Sequence, residues 1–210
     1  MSTLESKRVL FFDTETLSLN PYEKDINDNS YGFDAKIITT QVFAGGVMTI
    51  EKEWELGEKK LLENFLFRFD RWANNFRNRK FMPVITYHGI FDILYILGRM
   101  NQNNFPESDV KKMTELFMTM KHIDLMQYDN GYLISLDDIC NKYKINAKCE
   151  FSGKDIKRLY HEGRFNDIVA HGEDDVNRLK RLANETRLAD RFFIDKIGIF
   201  DDRKGLVNGK

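Results

Sequence analysis

Cysteine is scarce in this chain of 210 residues: there are two, Cys140 and Cys149. They form no CxxC pair and no histidine cluster surrounds them, which argues against a disulfide framework or a zinc site. Prolines number three, and neither a repeat of fixed period nor a low-complexity block is present. No stretch approaches 18 uncharged apolar residues, so no membrane span is expected. The opening MSTLESKR lacks the apolar core of a secretory signal, and the expected location is intracellular, in the cytoplasm. Charge of one sign is also missing. Thirty-two basic against 33 acidic residues leave a formal net charge of −1, which excludes a histone-like polycation.

The remainder is the composition of a soluble globular protein, 42% hydrophobic and 31% charged. The length suits one domain spanning residues 1–210, with a core over about 8–195 and a frayed tail. RVLFF (8–12) reads as a buried strand, and the polar stretch 19–35 as a loop. Residues 36–56 read as two strands around Gly45-Gly46, a hairpin signal. Leu61, Leu62, Phe65, Leu66, Phe69 and Trp72 recur at helical spacing over 57–76. Beyond Pro83 follow a short strand, VITYH (84–88), a break at Gly89, and a helix from about Phe91 to Met100. A polar loop (101–110), a helix (111–119) and a strand, HIDLM (122–126), come next. Ser135 caps a helix with Asp138 three residues on, near a capping box. A short helix over 153–160 and one or two long helices over 165–194 complete the chain. Strands first, then strands alternating with helices, predict an α/β fold with a mixed sheet: an antiparallel start and parallel crossovers.

VLFFDTET raises a chemical question, because a hydrophobic run leads into Asp13 and Glu15. Residues i and i+2 of a strand share a face, so two anions project together and each raises the other's pKa unless a cation intervenes. Mg²⁺ or Mn²⁺ suits such oxygen donors. Asp92, in TYHGIFDILYIL, opens an apolar helix. Asp175, in IVAHGEDDVNRLKRL, lies in a helix four residues after His171, a spacing that places both on one face. Each signal alone also fits an ordinary strand end, a first-turn acid or a solvated acidic turn.

Together, in this order, FFDTET, YHGIFD and HGEDDV resemble the three motifs of the DEDD superfamily of 3′–5′ exonucleases, with its RNase H-like fold. The pattern is closest to the proofreading domains of family B DNA polymerases, and the resemblance covers about residues 8–185. Two departures stand out. His88 occupies the place where the second motif usually has Asn, and the third motif reads His-x3-Asp, joining the histidine of one subtype to the spacing of another.

The resemblance implies a two-metal nuclease. Asp13, Glu15, Asp92 and Asp175 would ligate two Mg²⁺ or Mn²⁺ ions about 4 Å apart. Asp13 would bridge them, Glu15 and Asp175 would hold the ion on the water side, and Asp92 the other. His171 would orient or deprotonate the attacking water, as imidazoles can near neutral pH. Thr14 and Thr16 would present backbone or hydroxyl groups to the terminal nucleotide, and Leu17 and Phe91 would wedge its base. Single-stranded DNA or an unpaired 3′ end is the implied substrate, RNA the alternative, and a polymerase, replication or repair partner is left open. A non-catalytic nucleic-acid-binding subunit is the reading from another class, disfavoured by the complete carboxylate set. In RFDRWANNFRNRK (68–80) the aromatics are expected to face the core, with Arg77, Arg79 and Lys80 as candidate phosphate contacts. His122 is expected to be structural.

Overall fold

A computed structural model describes residues 9–18, 35–74, 83–128 and 134–186. The readings of 19–34, of Phe76, Arg77, Arg79 and Lys80, and of the tail lie outside these residues.

Five strands form one sheet: β1 (Leu10–Ser18), β2 (Ala35–Ala44), β3 (Val47–Lys52), β4 (Pro83–Thr86) and β5 (Lys121–Asp124), in the order β3-β2-β1-β4-β5. The β1–β2 and β2–β3 pairs are antiparallel, whereas β1–β4 and β4–β5 are parallel. The described residues contain seven α-helices: α1 (Glu53–Leu56), α2 (Glu58–Asn74), α3 (Gly89–Gln102), α4 (Glu107–Thr119), α5 (Leu136–Lys142), α6 (Ile156–His161) and α7 (Phe165–Glu185). This is the RNase H-like arrangement, a mixed sheet covered by helices on both faces. None of the described helices is long and apolar enough to cross a membrane.

Local chemistry explains the order. Gly45 and Gly46 take φ of 60° and 86°, the left-handed pair that a two-residue β2–β3 turn requires. β1 alternates strictly. Leu10 and Phe12 face α2, α3 and α4, where Phe12 meets Phe65 and Phe69 edge-on at 5.9 and 5.5 Å. Val9 and Phe11 face α5 and α7. Phe69 is fully buried and Trp72 packs beside it, so the described aromatics of the basic segment face inward. Arg68 pairs with Glu51 at 2.6 Å. Ser135 accepts the Asp138 N–H and caps α5. Cys140 is buried, Cys149 half-buried, and both are free thiols.

Several boundaries differ from the sequence reading: residues 53–56, read as the end of the second hairpin strand, form α1, and 125–128, in part read as strand, form a 3-10 turn. β1 runs on to Ser18, so Asp13 and Glu15 lie within the strand and not at its end; pairing with β2 continues past them, across a bulge that leaves Ile38 unpaired. Gly89 is the first residue of α3 and not a break. A Cβ on Gly89 would fall 2.0 Å from Thr86 Oγ1, so the helix can leave β4 this closely because the position has no side chain. The left-handed turn falls instead on His88, at φ 59°, whose N–H donates to Asp124 Oδ1 at 2.8 Å. Finally, α4 begins at Glu107, shortening the expected loop to 103–106; Pro106 precedes the helix, and Glu107 and Asp109 supply the acids favoured in a first turn. His122 contacts Thr86 Oγ1 through Nε2 at 2.6 Å and ties β5 to β4.

Candidate active site

The face of β1 turned toward α6 and α7 reads Val9, Phe11, Asp13, Glu15, Leu17. Val9 and Phe11 pack with Val176, Leu179 and Leu182 of α7. Leu17 packs with Ile38, Ile156, Leu159 and Ile168. The carboxylates occupy the gap between these apolar clusters. On α7 the matching gap holds His171 and Asp175, between Ile168 and Leu179. Helix and strand come this close because residue 172 is glycine: a Cβ there would lie 2.0 Å from the buried Gln41 Nε2 of β2.

His171 Nε2 stands 3.6 Å from Glu15 Oε1 and 3.6 Å from Asp175 Oδ2. One ligand atom from each of these three residues lies within 4.8 Å of the other two. Asp92 arrives from α3 and accepts a 2.5 Å hydrogen bond from Thr14 Oγ1. That bond joins residues 78 apart in the chain and seats the start of α3 against the middle of β1. Glu15, Asp92 and His171 are all buried.

Burial and mutual repulsion leave Asp13, Glu15 and Asp92 reluctant to ionise. The Asp13 carboxyl is held well above its usual range, first by burial and then by the charges of Asp92, Glu15 and Asp175. Glu15 is raised by burial, then by Asp175 and Asp92. Asp92 is pushed up to about 7, mainly by burial, against the hydrogen bond from Thr14. Carboxylates gathered in this way on rigid elements are the donor set of a hard divalent cation. The residues present therefore fit a metal site, with His171 beside it.

Several expectations about single residues can be placed. Asp174, which precedes Asp175 in HGEDDV, turns away: its Oδ2 accepts the N–H groups of Lys148 and Cys149 at 2.9 and 3.3 Å. Leu17 does not stand ready to wedge a base. At 5% exposure it is a core residue, because β1 continues past it and the two-residue alternation turns it inward. The Thr14 hydroxyl is committed to Asp92, which corrects its expected role of offering that group to a nucleotide. Thr16 is half-buried. Phe91, also half-buried, lies between His88 and Tyr95, with ring centroids 5.8 and 4.4 Å away.

Three neighbours escaped the sequence reading. Asp124 is buried at the end of β5 and its charge acts on Asp92. Gln41 lies opposite Asp13 in the β1–β2 register. Arg178, 5% exposed, donates from Nη2 to Asp175 Oδ1 at 2.5 Å. For Arg178 a signal existed: it follows His171 by seven residues on the inward stripe of α7.

The chain is thus an α/β protein of RNase H-like fold whose central strand and two flanking helices bring carboxylates together. The family follows from the chain as a whole: it belongs to the predicted 3′–5′ exonucleases related to the exonuclease domain of PolB, whose model matches residues 35–178. The matched span takes in Asp92, His171 and Asp175, while Asp13 and Glu15 precede it. No curated protein matches the chain.

Proposed function

We propose that the protein is a metal-dependent 3′–5′ exonuclease that hydrolyses the terminal phosphodiester of DNA, at single-stranded or unpaired 3′ ends, and releases nucleoside monophosphates. One observation carries this reading: Glu15 and Asp175, from elements distant in sequence, each stand 3.6 Å from the buried His171, and the charge of Asp92, from a third element, acts on Asp13 and Glu15. DNA is favoured over RNA by the family's relation to the exonuclease domain of PolB. The same relation makes a polymerase, or a replication or repair assembly, the protein partner to look for.

Asp13, Glu15, Asp92 and Asp175 would hold two Mg²⁺ or Mn²⁺ ions. Bound there, such ions supply Lewis-acid stabilisation of the attacking and leaving oxygens of an in-line displacement. His171 presents Nε2 between Glu15 and Asp175, where it can orient the attacking water and take its proton. Thr14 fixes Asp92 through its hydroxyl. The half-buried ring of Phe91, packed against His88 and Tyr95, would support the terminal base. Burial of Glu15, Asp92 and His171 strengthens the electrostatic contacts that they make.

The test is digestion of end-labelled single-stranded DNA, duplex DNA and RNA, each with Mg²⁺ or Mn²⁺ and with chelator. Stepwise release of mononucleotides from the 3′ end of single-stranded DNA is expected, abolished by chelation. Internal cuts, or an inert protein in Mn²⁺, would overturn the reading; faster digestion of RNA would reassign the substrate.

A further inference from the structure

We infer that Arg178 is a positioning residue: it engages Oδ1 of Asp175 so that this carboxylate presents Oδ2 alone to the acidic cluster. The inference rests on the reading above, in which Asp175 holds a divalent cation.

The geometry on both sides of Asp175 supports it. Arg178 follows Asp175 by three residues on α7, is 5% exposed, and donates from Nη2 to Oδ1 at 2.5 Å. The other oxygen, Oδ2, is the one facing His171 Nε2. The guanidinium is itself anchored from outside α7. Nη1 donates to Asp137 Oδ1 in the first turn of α5. Nε lies 3.5 Å from Asp174 Oδ2, which in turn is fixed by the N–H groups of Lys148 and Cys149. The orientation of Asp175 is thus referred, through one rigid planar cation, to α5 and to the segment at 148–149. A guanidinium suits this task because its donors have a fixed fork geometry; an ammonium is a point charge on a flexible stem. Ligand carboxylates are commonly aimed by hydrogen bonds of this kind, and loss of such a support lowers metal affinity by about 10–100-fold.

A different role for Arg178, as a simple counter-charge, predicts the opposite sign. A cation beside the site repels an incoming dication, so removing it would tighten metal binding. Mn²⁺ titration of the full chain, read by calorimetry and by the electron paramagnetic resonance signal of free Mn²⁺, separates the two. Both Arg178→Lys, which keeps the charge and loses the fork, and Arg178→Met are expected to weaken Mn²⁺ binding by about 10–100-fold. Native affinity in Arg178→Lys, or tighter binding in Arg178→Met, would overturn the inference. Should circular dichroism show both variants unfolded, Asp137→Ala decides, because it removes the α5 anchor and leaves the Arg178–Asp175 pair in place. A smaller loss of affinity in the same direction is expected there, and an unchanged affinity counts against the inference. Asp175→Asn keeps the two readings apart: if it binds Mn²⁺ like the native protein, the assignment of Asp175 as a ligand fails, independently of Arg178.

Discussion

The two faces of the sheet are built to different rules. Under α2, α3 and α4 the core is one continuous apolar cluster, with Phe12, Phe65, Phe69, Leu61 and Ile96 at its centre. Under α5, α6 and α7 the apolar packing is broken into two clusters, and the break is occupied by Asp13, Glu15, His171 and Asp175. The first face maximises the hydrocarbon removed from water. The second retains buried like charges that raise one another's pKa. Both faces are served by one strand, since Phe12 and Asp13 are consecutive. Stability and chemistry are therefore separable along β1 at the resolution of a single residue.

The largest expected effect tests that separation directly. Asp13→Asn should lower hydrolysis by about 10³-fold or more, since on the proposed reading Asp13 would be a metal ligand, and such a ligand accounts for several kcal/mol of transition-state stabilisation. The same change should raise the melting temperature of the metal-free protein, because it removes one of four mutually repelling carboxylates. Parallel loss of activity and of fold would break the comparison. His171→Ala should slow turnover by about 10²–10⁴-fold and flatten the neutral-pH limb of the rate profile; an unaltered profile would move proton transfer to another group. On the opposite face, Phe12→Ala should cost about 3–5 kcal/mol in denaturant unfolding. Where that variant stays folded, Mn²⁺ affinity should be near native.

The smallest effect requires no substitution. A carboxyl whose folded-state pKa is raised favours the folded state while protonated, so that contribution is complete near pH 4 and is lost as pH rises toward about 7, the value for Asp92. Asp13 and Glu15 shift in the same direction. In chelator, the melting temperature should therefore fall by about 3–6 °C between pH 5 and pH 8, on a scale of roughly 2–4 °C per kcal/mol. Saturating Mn²⁺ should cancel the fall; a chelated protein that gains stability over this window would contradict the electrostatic account.

Much of the architecture was readable because it is periodic. The alternation of β1, the stripe of α2 and the glycine pair of the hairpin are local signals, and each corresponds to an element. The i, i+4 spacing of His171 and Asp175 likewise needs nothing beyond a helix. What escaped depends on who packs against whom. Arg178 looks like any helical arginine until α5 brings Asp137 to it. Asp124 looks like a strand-end acid until the left-handed turn at His88 delivers an N–H to it. The bond between Thr14 and Asp92 spans 78 positions, beyond any local pattern. Leu17 was misread for a related reason: with the strand ended at residue 12, its inward phase could not be seen.

The alternation of β1 makes the chemistry a matter of phase. Slide this strand by one residue against its neighbours and Thr14 and Thr16 would face α7, while Asp13 and Glu15 would plunge among the phenylalanines of the opposite layer. Deleting a single residue just ahead of the acids would thus do more than shorten the chain; it would exchange the reactive and the oily sides of the molecule.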